Sequence, residues 1–227
     1  MTRDGFDRDL AALRDDVVGM GDVVVARLEK ALTALEERDS TLAREVVEGD
    51  DAVNELYLDL ESDCIDLFAL QQPLAGDLRF VAASFKILTD LERIGDLAVN
   101  VGSYTLARDH ELVPDVDLVP DVDLRHIGEL AVEMVEDALA AYADEDADAC
   151  VAVAERDDEL DALCERVGEL VVRHLTATDD DATTEWLFTE VNKLLLTVRD
   201  LERVGDHAVN VAARTLYLVD NDPELLY

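Results

Sequence analysis

The chain has 227 residues, 49% of them hydrophobic, with 19 Lys and Arg against 55 Asp and Glu, a formal net charge of −36. That apolar content separates it from disordered acidic chains and is enough to bury a core, as one elongated domain or two small ones. So negative a balance repels nucleic-acid phosphates and anionic lipid, which excludes both as direct ligands; it suits a folded protein of a salt-loaded cytoplasm, the composition expected of an extreme halophile.

The opening Met1-Thr2-Arg3-Asp4 meets charge at once and carries no signal-peptide core, and apolar runs such as Val23-Val24-Val25-Ala26 are too short to span a bilayer. A soluble cytoplasmic protein without membrane insertion is expected. Leu10, Leu13, Val17, Met20, Val24, Ala31 and Leu35 follow heptad-like spacing and predict a long first helix. Val53, Leu56, Leu60, Cys64 and Leu67 mark a second, ended by Pro73, and Leu78, Val81, Phe85, Leu88 and Leu91 begin a third. Then Leu112-Val-Pro-Asp-Val-Asp117 is followed at once by an identical Leu118-Val-Pro-Asp-Val-Asp123, whose prolines make it a linker. Beyond it, Ile127, Ala131, Met134 and Ala138, then Leu160, Leu163, Val167 and Leu170, then Leu187, Val191, Leu194, Val198 and Leu201 repeat the helical pattern. No window alternates like a strand. Cys64, Cys150 and Cys164 are scattered, and predict reduced core residues rather than disulfides or a zinc site.

The two halves are one unit written twice. Asp90-Leu-Glu-Arg-Ile-Gly-Asp-Leu-Ala-Val-Asn-Val101 recurs as Asp200-Leu-Glu-Arg-Val-Gly-Asp-His-Ala-Val-Asn-Val211, identical at ten of twelve positions with an offset of 110. Earlier, Asp39 matches Asp146 and Asp50-Asp51 matches Asp157-Asp158 at an offset of 107, so a net three-residue insertion falls in between, most simply in Thr176–Thr184. The expected fold is all-α: two tandem three-helix bundles with pseudo-twofold symmetry, residues 1–111 and 124–227, joined by the linker 112–123.

The duplicated segment carries the candidate chemistry. Residues four apart share a helix face, so Glu92, Asp96 and Asn100 form one oxygen-bearing stripe and Glu202, Asp206 and Asn210 its twin. Gly95 and Gly205 beside them cost about 1 kcal/mol each against alanine in a helix, which implies a close approach there. Asp51 with Asn54, and Asp158 with Asp161, lie at matching places on the neighbouring helix. Carboxylates converging from two helices make a hard-oxygen site for Mg²⁺, Mn²⁺, Ca²⁺ or iron. Equally, Asp90 and Asp96 each lie three residues from Arg93, and plain ion pairs would satisfy them. Both readings stay open at this point. His207 stands where the first half has Leu97, so it is not required by both halves. H-E-x-x-H, E-x-x-H, G-x-S-x-G and P-loop patterns are all absent, and nothing arranges a nucleophile with a base.

Asp90-Leu-Glu-Arg-Ile-Gly-Asp96…Asn100 and its copy Asp200-Leu-Glu-Arg-Val-Gly-Asp206…Asn210 resemble the hallmark of the PhoU family of phosphate-transport regulators. Phe6-Asp7-Arg8-Asp9-Leu10, Met20-Gly21 and the Pro73…Asp77-Leu78-Arg79 turn agree with it, the last only in the first half, since the second has Leu187-Phe188-Thr189. The resemblance implies tandem three-helix bundles whose acidic motifs bind metal ions, here through Glu92, Asp96, Glu202 and Asp206 with Asn100 and Asn210. It also implies a negative regulator that acts on the ATPase of the phosphate ABC transporter and, in bacteria, on a membrane sensor kinase. A homodimer is expected from exposed helical faces of this kind. The alternatives are a helical scaffold without metal and, last, a metal-dependent phosphoester enzyme.

Overall fold

The computed structural model describes residues 3–70, 75–107, 119, 122–177, 185–222 and 225. Among the described residues there are seven helices and no strand: α1 (Arg3–Glu37), α2 (Ser40–Glu48), α3 (Asp50–Leu70), α4 (Ala75–Leu106), α5 (Leu124–Asp144), α6 (Ala147–Ala177) and α7 (Glu185–Asp220). The expected Pro73 stop and most of the 112–123 linker lie outside the described residues, as does most of the stretch carrying the three-residue insertion. Its length is nevertheless visible: the ends of α3 and α6 differ by 107, the starts of α4 and α7 by 110.

The first half departs from a plain three-helix unit in one place. Its middle arm is split at Gly49 into α2 and α3, whereas the matching arm, α6, runs unbroken. Both arms start at an aspartate cap: Asp39 accepts from Thr41 N and Leu42 N, and Asp146 from Ala149 N. At the split, Arg27 of α1 donates to Gly49 O and pairs with Asp50 at 3.1 Å, holding the broken turn against α1. The second half has Arg156 in place of Gly49, and it reaches back instead to Glu133, at 2.6 Å, and Asp137 of α5.

Within each half the third arm packs on both others, and the halves meet through two helix pairs, α1 with α5 and α4 with α7. The buried side chains form one continuous core across both halves, from Leu13 and Val17 through Leu91 and Ile94 to Leu201 and Val204. All three cysteines are free and buried in it. No helix among the described residues is long and apolar enough to cross a membrane.

Two glycines set how closely α1 and α5 approach, and they are equivalents in the repeat. A methyl group on Gly21 would come within 2.5 Å of Leu139 Cδ1, and one on Gly128 within 2.7 Å of Leu32 Cδ2. Leu32 and Leu139 are themselves equivalents, so each half inserts a leucine into the glycine notch of the other. Gly19, two residues from Gly21, faces open space. Gly21→Val is expected to cost about 1–3 kcal/mol by overpacking, whereas Gly19→Ala should gain up to about 1 kcal/mol of helix propensity. Denaturant midpoints of the two variants check the contrast.

Candidate functional site

The two copies of the signature lie on α4 and α7, antiparallel neighbours at the seam between the halves. Asp90 and Asp200, the first residue of each copy, point into that seam. Asp90 Oδ1 receives the Asn210 amide at 3.2 Å and lies 2.8 Å from His207 Nδ1. Asp200 is fully buried; it accepts from the Tyr104 hydroxyl at 2.8 Å and from Arg199 at 2.9 Å, with Arg203 at 3.8 Å. Burial and the Asp200 charge push the Tyr104 phenol up, so it remains a donor.

These partners differ although the signatures match. Leu97 cannot serve Asp200 as His207 serves Asp90, and Asp200 takes two arginines and a tyrosine instead. Arg93 is left for its own stripe, 3.5 Å from Glu92 and 3.3 Å from Asp96. Arg203, its twin, turns to the seam. The ion-pair reading therefore holds for Arg93 with Asp96 but not with Asp90, whose partners come from the other half.

The neighbouring helices repeat the contrast. In the first half Asp50 is paired with Arg27 and receives the Asn54 amide at 3.0 Å. In the second half the matching positions hold Asp157, Met134 and Asp161: the cation has become a thioether and the amide a second carboxylate. Gly205 packs against Leu160, and a methyl group on it would also lie 2.9 Å from Asp157 Oδ1 and 3.5 Å from Met134 Cε. A methyl group on Gly95 would lie 3.2 Å from Val53, the equivalent of Leu160. Helix α7 is thus pressed onto a carboxylate that, among the described residues, has no counter-ion and whose Oδ1 is buried without a hydrogen-bond partner.

Electrostatics follow the geometry. Burial, then Asp161, Asp206, Asp158 and Glu202, push the Asp157 carboxyl up to about 6. Burial and neighbouring carboxylates also raise Asp161 and Glu202, with no cation opposing them. Glu92 is raised by burial and by Asp96 and Asp50, but Arg93 and His207 pull it back. The second half holds the charged cluster and the first a largely neutralised one.

Of the residues expected at the sites, Glu202 and Asp206 gather with Asp161 on the α6–α7 face, while Glu92 and Asp96 share Arg93 on α4. Asn210 is drawn to the seam by Asp90. Asp51 and Asp158 are exposed, and it is the preceding residues, Asp50 and Asp157, that turn inward. Asn100 is half-buried one turn beyond Asp96. Asp157 was missed as a site residue, yet its i, i+4 spacing to Asp161 places the two on one face. Among the described residues no three His, Cys, Asp or Glu side chains already surround a common point as metal ligands would.

The PhoU domain model matches residues 17–105 and 124–215, one copy in each half. A Pseudomonas putida protein named as a phosphate-specific transport system accessory protein PhoU homolog is 34% identical over 215 residues, which cover 94% of this chain and 80% of that protein. The crystal structure of PhoU from Pseudomonas aeruginosa is similar with a TM-score of 0.86 and 33% identity, covering 96% of this chain and all of that one. The phosphate transport system regulatory protein PhoU from Streptococcus pneumoniae gives a TM-score of 0.81 at 26% identity, over 96% of this chain and 98% of its own.

With Asp157 held up at about 6 in the fold against an ordinary 3.8, the folded state binds the extra proton between those values. Stability from this group is complete below pH 3.8 and is lost as pH rises through 6. Asp157→Asn is therefore expected to stabilise the protein by about 1 kcal/mol above pH 7, after allowance for solvent screening of a half-buried group, and by little at pH 4. Urea midpoints at the two pH values check the sign.

Proposed function

The chain belongs to the PhoU family, and we propose that it is the accessory regulator of a phosphate-specific transport system, restraining phosphate uptake and the phosphate-starvation response from the cytoplasm. The observation that carries this reading is the match of both halves to the PhoU domain, within an end-to-end likeness to proteins named for that role. The partner on this reading is the ATPase subunit of the transporter, with a membrane sensor kinase as a second and self-association as a homodimer. A single core running through both halves suits an adaptor, because a contact on one bundle is transmitted to the other as a rigid body. No reaction is needed for this role, and we assign none.

Metal binding is part of the same proposal, and the donor chemistry fits it best in the second half. Asp157, Asp161, Glu202 and Asp206 offer hard oxygens, and the orphaned Asp157 Oδ1 lacks the positive partner that Asp50 has in Arg27. A divalent or iron-type cation held there would supply the charge that offsets their repulsion and would tie α6 to α7. The half-exposed Glu202 and exposed Asp161 and Asp206 are free to turn towards an ion by rotamer change.

The regulatory role is tested in the source cells. The tagged chain is expected to co-purify with the transporter's ATPase subunit, and disruption of its gene to raise phosphate uptake in phosphate-replete medium. Absence of both effects would remove the assignment.

A further inference from the structure

The pseudo-twofold symmetry fails in one more place, between the ends of the four seam helices. At one end α1, α4 and α5 close on an aromatic plug. Tyr142 of α5 stacks on Phe80 of α4, with centroids 6.2 Å apart, and its hydroxyl shares a 2.7 Å hydrogen bond with Ser84. The Arg14 guanidinium lies over Phe80 at 5.0 Å from the ring centre. At the opposite end the repeat places Leu35 for Tyr142, Glu190 for Phe80, Leu194 for Ser84 and Thr197 for Ile87. Among the described residues no aromatic pair fills that end, and a cavity of about 540 Å³, with Tyr104 in its lining, opens between α1, α5, α7 and the end of α4.

Leu32, Leu35, Leu124, Val132 and Leu194 give it an apolar stretch of wall, beside Thr33, Tyr104 and Thr197. The cations nearby are already engaged: Lys193 is bound to Glu190 at 2.8 Å and to Ala107 O at 2.7 Å, and Arg125 to Glu129 and Glu36 at 2.8 and 3.5 Å. Glu133 is taken by Arg156. That leaves Glu29 and Glu136, repeat equivalents on either side of the α1–α5 crossing, both exposed and, among the described residues, with no cation against them.

We propose that this cavity is a ligand site for a small amphipathic organic cation, whose apolar body lies along the leucine walls and whose ammonium or guanidinium group is held at the mouth by Glu29 and Glu136. The volume lies in the range of small-molecule sites. The carboxylates select a cation and reject an anion of the same shape. The site is separate from the α6–α7 carboxylates, so its test is independent of the metal proposal.

Three probes of one shape, heptylammonium, heptanol and heptanoate, titrated by calorimetry into the full chain at the lowest salt that keeps it folded, test this directly. Heptylammonium is expected to bind once per chain, heptanol more weakly and heptanoate not at all. Leu35→Tyr, which installs the residue found at the plugged end, should weaken heptylammonium binding at least about tenfold by filling the space. Leu194→Phe fills it from α7 and should do the same, so the test survives if one variant misfolds. Glu29→Gln with Glu136→Gln should cost heptylammonium about three- to fivefold and leave heptanol unchanged. The proposal is overturned if heptylammonium does not bind, if heptanoate binds as tightly, or if a filled variant with native helicity binds as well as the parent.

Discussion

Two aspartates, Asp90 on α4 and Asp200 on α7, must be satisfied inside the seam where the halves of the molecule meet. A buried carboxylate left unpaired costs several kcal/mol, so the residues around each are committed before any other task. Asp90 is served from the opposite half by His207 and Asn210. Asp200 faces a half with Leu97 where that histidine would stand, and takes Tyr104, Arg199 and Arg203. One difference in the repeat thereby decides which arginine remains for which stripe.

The consequence is two stripes of matching sequence and opposite electrostatics. Arg93 neutralises its own stripe, and Arg27 neutralises the facing Asp50. Arg203 is spent on the seam, Met134 replaces Arg27, and Asp161 adds charge where Asn54 adds a donor. Gly205 then brings α7 close enough to press Asp157 into a site without a partner. Natural folds keep such groups where a function or a counter-ion answers for them. That is the physical ground for placing the cation requirement in the second half.

Much of the fold was legible in the chain. Heptad-like apolar spacing located the helices, the offsets of 107 and 110 located the insertion, and the twelve-residue repeat marked α4 and α7 as equivalents, though not that they pack together. The split at Gly49 was not read, because a single glycine in a helical pattern costs little and Arg27, which fixes the break, comes from another helix. The site was half legible. Identity between the copies pointed to Glu92, Asp96, Glu202 and Asp206, but the asymmetry sits in the differences, Leu97 against His207, Arg27 against Met134 and Asn54 against Asp161. Their meaning depends on which helices face one another. The aromatic plug and the cavity opposite it needed the same knowledge, since Phe80 and Tyr142 lie on different halves.

The central claim is that the second stripe, and not the first, holds uncompensated charge. It is tested most directly by the rise in thermal midpoint on adding Mg²⁺ or Mn²⁺ to two variants, Glu92→Gln with Asp96→Asn and Glu202→Gln with Asp206→Asn, at one fixed high salt concentration. The account predicts that the first variant keeps the cation response of the parent. It predicts that the second loses most of it while melting higher than the parent in metal-free buffer. Equal loss in both variants, or loss confined to the first, would contradict it.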